Sequence, residues 1–217
     1  MRKGEQTRAT ILSAACELAA RDGLEGLTIG MLAERTGMSK SGVFAHFGSR
    51  EDLQIAVLEA YEQRFVEEVL KPGLDAPRGL ARLRAILTHW IARTAVDAAS
   101  SCIWIAGAAE FDDRPGPVRD VLVAMVRSWQ NELTRAIQQA IDTGELAVGI
   151  DPHDLVFDLY GVMLVLHHET RLMNSADALP RAHRAFERLM KQCGASTMPL
   201  APTALPTRSG AVARRMS

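Results

Sequence analysis

Lys40 and Arg50 bracket a run of hydroxyls, glycine and aromatic side chains: Ser39, Ser41, Gly42, Phe44, His46 and Phe47. These residue types suit the binding of an anion better than the breaking of a bond. Ser39 and Ser49 are favoured helix caps, and the free backbone amides of a helix start are ready donors to phosphate. Lys40 and Arg50 add cations, and His46 adds a further donor. Ser41 and Gly42 keep bulk away from the place where a backbone would meet a phosphate. Val43 and Phe47 lie four apart, so both can face inward and pin a short helix whose small, polar, basic side stays outside. The major groove of duplex DNA is wide enough to admit such a helix.

Other chemistry-bearing residues are scattered. His167-His168-Glu169 does not have metal-site spacing, because neighbours on a helix point in different directions and helical zinc pairs sit four apart. His167 follows Tyr160 and Met163 on one helix face. That makes it either a polar point in an apolar cavity or a satisfied core histidine. Trp90, Trp104, Phe111, Met125 and Trp129 come from three different predicted helices. Aromatics and methionine suit the lining of a small-molecule pocket, and they suit plain core packing as well. Cys16, Cys102 and Cys193 lie far apart within apolar patterns, as expected of reduced thiols in a cytoplasmic protein. The sequence carries no phosphate-binding glycine loop, nucleophile elbow or metal cluster, so an enzyme is the weaker reading and no cofactor or metal is expected.

The elements that must position these groups are helical throughout, and no strand alternation competes. Ile11, Leu12, Ala15, Leu18 and Ala19 recur at helix spacing before Asp22-Gly23. Thr28 caps a short helix carrying Ile29, Leu32 and Ala33, which stops at Gly37. Ser39 caps the next helix. Ser49 caps a fourth, which runs to about Leu70 and is broken by Lys71-Pro72-Gly73. After Pro77 come a long helix with Leu80, Leu83, Leu87, Trp90 and Ile91, and a short apolar helix within 101–111. Asp112-Asp113-Arg114-Pro115-Gly116-Pro117 then breaks the chain. Val118, Leu122, Met125, Trp129, Leu133 and Ala136 mark the next helix. Asp151-Pro152 opens one that is apolar on more than one side, and Leu179, Ala182, Phe186, Leu189 and Met190 mark the last. About nine helices result. From Ala195 the chain is too poor in apolar groups to offset ordering, so residues 195–217 read as a disordered tail.

Helix, short turn with Gly37, and short helix is the helix-turn-helix arrangement. Taken with the helix before it and the "GSREDL" that follows Phe44 and Phe47, residues 7–53 resemble the DNA-binding domain of the TetR family of bacterial transcription regulators. The all-helical remainder has the length and helix count of that family's ligand-binding and dimerisation domain. The resemblance implies that Thr28, Ser39, Lys40, Ser41, Gly42, Phe44, His46 and Arg50 fall on positions that touch DNA. Phe44 stands where the family commonly has tyrosine, and Ala45 is smaller than in many members. A phenol for phosphate is thus absent, and Phe44 offers apolar contact instead.

The expectation is therefore an all-α protein. Residues 1–50 form the DNA-binding unit, helix 51–71 is a connector, and 72–194 form the ligand-binding and dimerisation bundle. Its partners are a near-palindromic double-stranded operator, a small, largely hydrophobic effector oriented by polar groups such as His167 or Tyr160, and a second copy of the chain. The leading function is a repressor released from its operator by that effector. The alternative is a DNA-binding regulator without one. The net charge of −1 over 217 residues advertises no nucleic acid by itself, so local placement must do so. Arg2, Lys3 and Arg8 form a basic N-terminal arm that either follows a groove or is merely solvated. No apolar run is long enough to cross a membrane.

Overall fold

The computed structural model describes residues 3–96 and 102–194. Among them every regular element is a helix: α1 (Lys3–Asp22), α2 (Ile29–Thr36), α3 (Lys40–Phe47), α4 (Arg50–Phe65), a π-helical turn (Val66–Leu70), α5 (Lys71–Leu74), α6 (Leu80–Val96), α7 (Ile103–Phe111), α8 (Pro117–Asp142), α9 (Pro152–Arg171) and α10 (Ala178–Gln192). Counted as rods there are nine, since α4, the π turn and α5 run on without interruption. The expected tail at 195–217 and the arm residue Arg2 lie outside the described residues.

The predicted caps close the reading unit. The Thr28 hydroxyl accepts from Met31 N at 3.2 Å, Ser39 from Gly42 N at 3.1 Å, and Ser49 from Asp52 N at 3.0 Å. Gly37 ends α2 in the left-handed region at φ 68°, where a side chain would be strained, and there the chain turns into α3. Ile11, Leu32, Val43, Leu53 and Val57, all fully buried, make one core from α1–α4.

The connector departs from the sequence expectation. Lys71-Pro72-Gly73 does not break it; the rod continues to Leu74. Lys71 N–H reaches back to Val66 O, the wide π spacing, immediately ahead of Pro72. Proline lacks the N–H that an α-turn needs and crowds the carbonyl four residues back. A wider turn at that place relieves the clash without ending the helix. α4 packs on α1 at one end and on α8 further along, so one element belongs to both halves of the core.

Candidate nucleic-acid interface

α3 shows opposite characters on its two sides. Val43 and Phe47 are buried, while Ser39, Lys40, Ser41, Phe44 and Ala45 are exposed, Phe44 to 51%. Ile29, Lys40, Ser41, Phe44 and Ala45 surround one shallow, mostly apolar depression between α2 and α3. An aromatic face this open on a short helix, beside a lysine, is suited to lie against base edges and thymine methyl groups.

Lys40 does not stand alone. A Cβ built on Gly30 would lie 3.5 Å from Lys40 Cε and 3.8 Å from both Lys40 Nζ and the Thr28 hydroxyl. The cation therefore hangs over the first turn of α2, beside the cap residue. A lysine ammonium, a threonine hydroxyl and a helix N-terminus meet there, which is a phosphate-binding arrangement. Ser39 Oγ and Ser41 Oγ lie 3.1 Å apart at the start of α3. Gly42 is half-buried, and a side chain there would meet the Ser39 cap oxygen at 3.1 Å. His46 is half-buried near the helix end.

Arg50, exposed at the start of α4, is also bonded within the fold. Its Nε donates to Leu27 O at 3.1 Å, its Nη2 donates to Glu25 O, and the same Nη2 lies 3.3 Å from Glu25 Oε1. The guanidinium ties α4 to the α1–α2 loop. Arg8, from the expected arm, stacks over the Phe47 ring at 5.1 Å.

The residues expected to line a ligand site divide. Trp90, Trp104, Trp129 and Tyr160 converge, around a residue that sequence reasoning missed. Phe65 lies 4.5 Å from the Trp104 ring and 4.7 Å from the Trp129 ring. Trp90 meets Trp129 at 5.1 Å and Tyr160 at 5.7 Å. Tyr61 adds an edge contact to Trp104 and donates its hydroxyl to Cys102 Sγ at 3.2 Å. Tyr61 and Phe65 lie four apart and buried on α4, a spacing that is legible in the sequence and could have found them. Met125 is buried on α8. Phe111 stands apart, at the far end of α7, in an outer groove with Ala108, Leu122 and Val126.

Beside the aromatic cluster His167, Arg93, Thr94 and Thr170 border a cavity of about 10 Å³, the room of one water. Burial pushes the Tyr160 phenol up to about 12. Burial, with Arg171 and His168 nearby, holds the His167 imidazole below its ordinary value. The indole N–H groups of Trp104 and Trp129 are buried and meet no hydrogen-bond acceptor among the described residues. Buried donors are rarely left so. Among the described residues no helix is long and apolar enough to cross a membrane.

Comparison with known proteins decides the family. The profile of bacterial regulatory proteins of the tetR family matches residues 11–57, and that of the tetracyclin repressor-like C-terminal domain matches residues 79–186. The chain belongs to the TetR family. That family is one of bacterial regulatory proteins. The first profile spans α2 and α3, the helix-turn-helix, and the second spans α7 and α8 entire. Over 79 residues it is 37% identical to the HTH-type transcriptional repressor AcnR of Corynebacterium glutamicum. That stretch spans 36% of this chain and 42% of AcnR, less than half of the relative's length. A TetR regulator from Chloroflexus aurantiacus shares the fold with a TM-score of 0.77 at 23% identity, over 93% of this chain and all of that one. AibR, solved in complex with isovaleryl coenzyme A and operator DNA, aligns with a TM-score of 0.62 at 25% identity, over 74% of this chain and 85% of that one.

Proposed function

We propose that this TetR-family protein is a cytoplasmic repressor, without catalytic activity, that binds a near-palindromic operator as a homodimer and leaves it when an effector enters the aromatic core. The reading unit is residues 1–50, the connector 51–71, and the effector and dimer unit 72–194. The observation that carries the DNA half is the exposed side of α3, with Phe44 at its centre and Lys40 over the N-terminus of α2.

The dimer is supported by α9 and α10. Phe157, Leu164 and Val165 are exposed along α9, Phe157 to 79%. Gly161, Val162, Ala182 and Ala185 form the floor of a groove of about 540 Å³ between the two helices. A second copy, presenting the same pair, would bury both stripes in a four-helix bundle.

The effector half rests on the aromatic cluster and its two indole N–H groups that meet no acceptor among the described residues. A molecule that opens the cluster would be flat and apolar and would carry a hydrogen-bond acceptor for Trp104 or Trp129. AibR is a relative solved with both an acyl coenzyme A and operator DNA, which supports an effector here in kind and not in identity. The second reading is a DNA-binding regulator controlled by a partner or by its abundance; the ring-to-ring packing of Phe65, Trp90, Trp104 and Trp129 favours it.

Two measurements test this. Genomic fragments retained by the protein should contain an inverted repeat; no retained fragment would defeat the DNA reading. A screen of flat apolar acceptors by thermal shift, followed by titration with and without the recovered operator, tests the effector. Affinity must fall by the same factor in both directions. Equal affinities would remove the effector and leave the second reading.

A further inference from the structure

The loop between α1 and α2, residues 23–27, is gripped from two helices. From α4, Gln54 Nε2 donates to Leu24 O at 2.8 Å and Arg50 donates to Leu27 O. From α7, the Glu110 carboxylate accepts the backbone N–H of Glu25 at 2.6 Å. Just past α7, Arg114 Nη1 lies 2.9 Å from Glu25 Oε1, the oxygen that Arg50 also approaches. The loop is shaped for this contact. Gly23 has φ +86°, and a Cβ on it would come within 2.5 Å of Glu110 Oε1.

We propose that Glu110 and Glu25 form a latch through which α7 holds the reading unit in its DNA-binding orientation, as a second line of coupling beside the covalent one through α4. It rests on the DNA-binding reading above. Glu110 lies in the last turn of α7, and Trp104, in the aromatic cluster, lies in its first. A short helix moves as one body, so a displacement of Trp104 is carried to Glu110. The bond at Glu25 is a charge-assisted one from a backbone amide, among the stronger kinds. Three residues on is Thr28, the cap that sets α2. So little chain leaves no slack to absorb a shift before it reaches the helix-turn-helix. When the latch opens, the reading unit samples more orientations, and the competent fraction and the apparent affinity fall together. Glu110 is a positioning residue here and touches no DNA.

The test compares the full-length protein with Glu110→Ala and Glu110→Gln, using hydrogen exchange and binding to a duplex that the wild-type chain selects from a random pool. Glu110→Ala should speed exchange in residues 23–36 by about tenfold while α8 is unchanged. It should also weaken the selected duplex by a factor within the usual range of coupling, about 5- to 150-fold. Glu110→Gln keeps an acceptor oxygen and should retain most of the wild-type behaviour. Unchanged exchange in 23–36, faster exchange throughout, or a duplex bound as tightly or more tightly by Glu110→Ala would overturn the latch. If the wild-type chain selects no duplex, the DNA-binding reading fails and the latch falls with it. A duplex bound equally by both proteins sinks the latch alone.

Discussion

Lys40 and Arg50 are both exposed cations at helix starts, and they differ in what holds them. Lys40 reaches over α2 and forms no ion pair among the described residues, whereas Arg50 is fastened to the carbonyls of Glu25 and Leu27. Lys40→Ala should therefore weaken binding across many sequences and reduce the slope of log K against log salt by about one, as measured by titrations over a range of salt. Arg50→Ala should act first on folding, lowering the denaturant midpoint, because it removes the brace of the α1–α2 loop. His167 and His183 give a pH prediction. Burial is the first cause that lowers both imidazoles from their ordinary 6.5. A histidine with a lowered folded value binds fewer protons folded than unfolded. Its contribution is intact above the unfolded value and is lost as pH falls from there through the folded one. Stability should drop below about pH 6.5, and His167→Asn should flatten the part of that slope that His167 supplies. A slope unaltered in the variant would remove His167 from the account.

At the scale of the element, the caps behave as their sequence requires. Ser49 and Asp52 exchange two bonds, Asp52 N to Ser49 Oγ at 3.0 Å and Ser49 Oγ to Asp52 Oδ2 at 2.6 Å. Ser49→Ala removes both and should cost about 1 kcal/mol in equilibrium unfolding without altering base preference. Each cap was legible because a cap is a local device: the bonding partners lie within a few residues of each other. The π turn was not legible. Pro72 reads as a break in isolation, and the packing of the rod against α6 and α8 is what makes a wider turn preferable to an ended helix. Gly42 shows the same limit. Its smallness suits an approach to DNA, yet the structure also places it against the Ser39 cap. A large side chain there disturbs the helix start as well as the docking.

For the whole molecule, the proposed dimer makes the separation of two reading helices the decisive quantity. A two-fold dimer sets them about 34–36 Å apart on one face of the duplex. Phe157→Glu with Val165→Glu places charges in the stripe that the second copy is expected to cover. Sedimentation should then report a monomer, with the α1–α4 unit still folded and operator affinity lost through the absence of bivalent binding. A variant that remains dimeric would move the interface elsewhere.

Local pattern determined which residues form helices, where most of them start and stop, and which short helix is small and polar on one side. Those features depend on neighbours within a turn or two. The TetR resemblance followed from the same local run. Tertiary structure decided what lies between helices. It gathered Trp90, Trp104, Trp129 and Tyr160 around Phe65, and it left Phe111 out at the other end of α7. It fastened Arg50 to the carbonyls of Leu27 and Glu25, and it brought the Glu110 carboxylate to the backbone N–H of Glu25. Those pairings join residues far apart in the chain. Periodicity gives the face on which a side chain stands, and only the packing of whole helices gives what that face meets.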